Sequence, residues 1–123
     1  MVCQVLFIDD ERDPHHPQVR EQYPADAQFH VIRTLRGLRD WLAENPLPDI
    51  VSFDYHMHVT DQLRNGGDYA AYMAFELDLQ DKTMPYVMVH SADPDAPKKI
   101  LRQIQIVFPD FTWEENQKCA PSS

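Results

Sequence analysis

Val5-Leu6-Phe7-Ile8-Asp9-Asp10-Glu11-Arg12 is the stretch whose reading decides the fold. Four consecutive apolar residues suit a short strand buried on both faces, as in a parallel sheet, and three acids then end the run abruptly. The figure recurs. Ile50-Val51-Ser52-Phe53 stops at Asp54, and Tyr86-Val87-Met88-Val89 runs into His90-Ser91. Phe29-His30-Val31-Ile32 reads as a further strand, and the short apolar run Ile106-Val107-Phe108 as a fifth.

The segments between these runs read as helices. Thr34 is a plausible N-cap for a helix carrying Leu35, Leu38, Trp41 and Leu42 on one face, which should end before Asn45-Pro46-Leu47-Pro48. Asp68 to about Gln80 has Ala70, Met73, Ala74 and Leu77 at helical spacing. Pro97 suits the first turn of a helix continued by Ile100, Leu101 and Ile104. Residues 13–28 are different: Pro14, Pro17 and Pro24 leave room for one turn at most, around Gln18 to Gln22.

Strands alternating with helices predict an α/β fold, a flavodoxin-like doubly wound parallel sheet of about five strands with the first helix shortened or absent. The strand order 2-1-3-4-5 places strands one, three and four side by side, and ligands bind beyond their carboxyl ends. Asp9, Asp10, Asp54, His90 and Ser91 therefore converge on one edge. The chain, at 123 residues, has room for one domain. It divides into residues 1–112 and a polar tail, 113–123.

Composition narrows the partners. Twenty acidic against 11 basic residues give a formal charge of −9, which disfavours binding to nucleic-acid backbones and anionic membranes. A small phosphorylated ligand stays open, because a bound cation inverts the local field. No stretch approaches the roughly 20 apolar residues of a membrane span. The start lacks the pattern of a signal peptide. A cytoplasmic setting is the expectation, with Cys3 and Cys119 reduced rather than paired. The oligomeric state is open.

Each candidate residue has two readings. Asp9, Asp10 and Asp54 either form an oxygen-rich site for Mg²⁺ or Mn²⁺, or serve as ordinary turn and loop caps. His56 and His58 point the same way in an extended segment. His56 as a metal ligand would move the preference toward Zn²⁺ or Fe²⁺, and the alternative is a pair of exposed loop histidines. His90 is either a general acid–base or a histidine hydrogen-bonded at a strand end. Ser91 either donates to a phosphate oxygen or caps a turn. Arg12 either clamps an anionic substrate or pairs with a neighbouring acid. His15-His16 read as solvated, and Lys98-Lys99 as helix-start lysines within reach of a phosphate.

These segments resemble a receiver domain, the phosphoacceptor module of response regulators. The resemblance rests on the acidic pair Asp9-Asp10, on Asp54, and on Ser91-Ala92. A closer similarity is to the cyclic-phosphate-processing receiver variant. Asp9-Asp10-Glu11-Arg12, the proline-broken 13–28 segment, Ser52-Phe53-Asp54, Gly67-Asp68 and His90-Ser91 carry it, over residues 4 to 101. The chain departs from the pattern twice. His56 stands where the variant has a second acid, and Ile106 to Phe111 offers no lysine where ordinary receivers end their fifth strand with one.

Two functions follow from the resemblance. The first is a metal-dependent phosphoesterase acting on a cyclic or linear phosphate, with Asp9, Asp10, Asp54 and His56 at the metal, Asp54 and His90 catalytic, and Arg12 and Ser91 binding substrate. The second is a non-catalytic regulatory or protein-interaction module of the receiver type, such as a phage or accessory protein that binds a protein partner.

Overall fold

The computed structural model describes residues 2–55 and 65–118; His56, His58 and Cys119 lie outside them. Four parallel strands, β1 (Gln4–Ile8), β2 (Gln28–Ile32), β3 (Ile50–Phe53) and β4 (Tyr86–Val89), form one sheet in the order β2-β1-β3-β4. The helices are α1 (Pro17–Arg20), α2 (Leu35–Glu44), α3 (Gly66–Leu79), α4 (Ala96–Val107) and α5 (Trp113–Gln117). The flavodoxin-like order predicted from the sequence is present, with β1, β3 and β4 adjacent.

The two faces of the sheet are covered unequally. On one, Leu6, Ile8, Val51, Phe53 and Val87 pack against apolar residues of α2, α3 and α4. On the other, Val5, Phe7 and Ile50 meet Tyr23, with Val19, Ala27 and Phe29 packed around them. The prolines that break residues 13–28 explain the difference, since α1 is a single turn and the chain around it is the cover for that face. We refer to it as the thin face.

Local caps fix the ends of the helices. Thr34 Oγ1 accepts from the Gly37 amide, starting α2 as expected. Asn65 and Asp68 cap α3 reciprocally, so the aspartate of the Gly67-Asp68 element closes a capping box. Gly66 abuts the end of β3. A Cβ there would lie 1.8 Å from the Asp54 carbonyl oxygen, and the Gly66 amide donates to the Tyr55 carbonyl at 2.7 Å.

Among the described residues the expected fifth strand does not form. Ile106 and Val107 are the last turn of α4, whose buried stripe is Ala96, Ile100 and Ile104, and Ile106 is 70% exposed. A three-residue apolar run cannot be told from a helix end by composition. In place of a fifth strand, α5 reaches the β4 edge with side-chain amides. Asn116 Oδ1 accepts from the Val87 amide at 2.9 Å, and its Nδ2 donates to the Pro85 carbonyl at 2.9 Å. Gln117 Nε2 donates to the Val87 carbonyl at 3.4 Å. This helix forms the first part of the segment read as a polar tail.

Replacing Asn116 by Leu leaves the Val87 amide and Pro85 carbonyl without their partner, and each unsatisfied buried group costs about 1–3 kcal/mol. Asn116→Leu should therefore lower the free energy of urea unfolding by at least about 2 kcal/mol. A variant as stable as the wild type would show that these bonds contribute nothing to holding the edge.

Candidate metal centre at the carboxyl edge of the sheet

Strand alternation assembles the site. Val5 and Phe7, Ile50 and Ser52, and Tyr86 and Met88 point to the thin face, and Phe7, Ser52 and Met88 lie on one rung of the register. Two residues further along each strand stand Asp9, Asp54 and His90. Backbone bonds extend the ladder to them: the Asp54 amide donates to the Ile8 carbonyl and the His90 amide to the Phe53 carbonyl, both at 3.0 Å. Three residues distant in sequence are thus delivered to adjacent positions on one edge.

Asp9 is wholly buried. Its Oδ1 accepts from the amides of Glu11 (2.8 Å) and Arg12 (2.9 Å), and its Oδ2 from His90 Nε2 (2.9 Å). Burial alone would raise its carboxyl. The His90 bond and the two amides outweigh that and hold it at about 2. One donor atom each from Asp9, Asp10 and Asp54 lie within 4.8 Å of one another. Three carboxylates so close repel unless a cation intervenes, and their hard oxygens fit a divalent ion such as Mg²⁺ or Mn²⁺. The donor set can hold such an ion. The expected contribution of His56 falls outside the described residues.

His90 is held at both ring nitrogens and on one face of its ring. Its Nδ1 lies 2.7 Å from Ser52 Oγ, its ring stacks on Phe7 with centroids 4.3 Å apart, and its side chain is 3% exposed. Ser52 Oγ in turn meets the Tyr23 hydroxyl at 2.7 Å. Burial pushes the Tyr23 phenol up to about 12, against the opposing effect of the Ser52 bond. Both ring nitrogens of His90 thus face protein groups.

Cationic side chains border the acids. The Arg12 guanidinium donates to the His90 carbonyl, and its Nε lies 4.0 Å from Asp9 Oδ2. Its side chain stays 43% exposed, so part of it remains open to an anion. Arg33, not singled out from the sequence, donates to the carbonyls of Asp9 (3.2 Å) and Arg12 (3.3 Å). Ser91 Oγ accepts from the Asp93 amide at 3.2 Å, the turn-capping alternative. Lys99 Nζ lies 3.4 Å from Asp93 Oδ2 and 4.9 Å from the centre of the Tyr55 ring, beside Asp54.

Sequence reasoning missed Tyr23, which sits between Gln22 and Pro24 in a loop with no periodicity to mark it. Ser52 carried a signal, as the one polar residue within an otherwise apolar strand.

A family model described as the cyclic-phosphate processing receiver domain matches residues 4–105. No curated protein and no solved structure matches the chain.

The depressed Asp9 value makes stability depend on acid. Its contribution is fully present above about pH 4 and is lost as the pH falls from about 4 to about 2, by about 2 kcal/mol. The unfolding free energies of the wild type and Asp9→Asn, measured in chelator, should differ by that amount at pH 7 and converge toward pH 2. A gap constant across this range would rule out a stabilising role for the charge.

Proposed function

The chain belongs to the cyclic-phosphate processing receiver family, and on that premise we propose that it is a divalent-metal-dependent phosphoesterase acting on a cyclic or linear phosphate. The observation that carries the reading is the convergence of Asp9, Asp10 and Asp54 beside an arginine whose side chain is 43% exposed. In this reading the three carboxylates hold the ion, with His56 as a fourth ligand. A bound divalent ion neutralises phosphoryl charge and acidifies water.

The chain's own residues supply the rest. Hydrolysis breaks one P–O ester bond, adds the water oxygen to phosphorus and delivers a proton to the leaving oxygen. In this reading Asp54 takes the proton from the attacking water as general base and returns it to the leaving oxygen. Arg12 orients the anion through the unspent part of its guanidinium, and Ser91 offers its hydroxyl hydrogen to a phosphate oxygen while its oxygen caps the turn. In this reading His90 acts through Asp9, whose Oδ2 accepts from its Nε2.

The non-catalytic module remains the second reading. The segment where receivers carry a strand-five lysine is here the end of α4, which weighs against switching driven by phosphorylation of Asp54. It leaves a plain protein-binding role untouched.

Calorimetric titration of Mg²⁺ and Mn²⁺ into the wild type and Asp54→Ala, followed by a cyclic-phosphate hydrolysis screen, tests the proposal. The wild type should bind, the variant should bind at least about tenfold more weakly, and hydrolysis should fall with it. Metal binding without turnover on any cyclic phosphate would favour the module, and no binding by the wild type would overturn the metal reading.

A further inference from the structure

Four polar side chains form one hydrogen-bonded line beneath the carboxyl edge. Tyr23 hydroxyl to Ser52 Oγ is 2.7 Å, Ser52 Oγ to His90 Nδ1 is 2.7 Å, and His90 Nε2 to Asp9 Oδ2 is 2.9 Å. Tyr23, Ser52 and Asp9 are all buried, and the line crosses an otherwise apolar layer of Val5, Phe7 and Ile50. The proposed phosphoesterase gives Asp9 a role and gives none to Tyr23 or Ser52.

The bonding has a direction. A carboxylate only accepts, so His90 Nε2 donates to Asp9. With that hydrogen on Nε2, the neutral ring has a bare Nδ1, which accepts from the Ser52 hydroxyl. The Ser52 oxygen keeps a lone pair for the Tyr23 hydroxyl. Every hydrogen in the line is then used once. The reverse order, with Ser52 donating to Tyr23, would leave Nδ1 without a donor and the Tyr23 hydrogen without its Ser52 acceptor. Phe7, stacked at 4.3 Å and 10° on the imidazole, holds the plane of the ring.

We propose that Tyr23 and Ser52 are positioning residues which, through His90, fix one imidazole tautomer and hold the Asp9 carboxylate in the single orientation presented to the cation. Its functional consequence rests on the metal reading above; the tautomer itself does not. Partners that orient a ligating group from behind typically change metal affinity by about 10- to 100-fold when removed.

The test uses the whole chain and two readouts. Mn²⁺ affinity is measured by electron paramagnetic resonance, and the His90 ring nitrogens by ¹⁵N NMR in the metal-free protein. The wild type should show one His90 tautomer, protonated at Nε2. Tyr23→Phe and Ser52→Ala should mix the tautomers and weaken Mn²⁺ by about tenfold, while Ser52→Thr, which restores a hydroxyl, should recover both readouts. Should Tyr23→Phe fail to fold, the Ser52 pair carries the comparison. Unchanged ring signals in Ser52→Ala, with or without a loss of affinity, would overturn the proposal, since a loosened fold alone explains such a loss. A wild type that binds no Mn²⁺ but shows the tautomer change would overturn the metal reading and leave the positioning intact.

Discussion

The Asp9 carboxylate is the point on which the rest of the edge depends. It receives three hydrogen bonds, two from the amides of the loop it begins and one from a histidine at the far side of the sheet. The amides bend the chain after β1 so that Arg12 turns back over His90. The histidine ties β1 to β4 across the intervening β3. A buried carboxylate without such partners would be costly, and with them it is held ionised. One side chain thereby joins the loop geometry, the strand alignment and the charge of the acidic cluster.

The thin face gives that carboxylate its setting. A full first helix would cover β1 and β3 with a broad apolar stripe. The proline-broken segment offers a single turn and the loop after it, and Tyr23 from that loop reaches Ser52. The polar line thus occupies the face from which helical cover has been removed. The opposite face, packed by α2, α3 and α4, contributes no member to it.

Much of this architecture could be read from residue order. The apolar runs ending in acids marked β1 and β3, the proline cluster marked the lost helix, and Thr34 marked the start of α2. Strand order then implied that Asp9, Asp10 and Asp54 meet, as they do. Periodicity failed where it is weakest. Ile106 to Phe108 was too short to distinguish the end of a helix from a strand. Asn116 looked like an ordinary polar residue because its value lies in which backbone groups it reaches. Tyr23 and Arg33 escaped for the same reason. Their partners are distant in sequence or are main-chain atoms, and no local pattern announces either.

The edge of β4 has a consequence beyond the site. A parallel sheet that ends one strand early exposes a row of backbone donors and acceptors that could template pairing with another chain. Here the amide groups of Asn116 and Gln117 fill the Val87 positions a neighbouring strand would take. A side-chain amide offers the same donor and acceptor as a peptide unit, but it cannot propagate a ladder. By closing with α5 rather than with a strand, this domain protects its outer margin against edge-to-edge aggregation at that position.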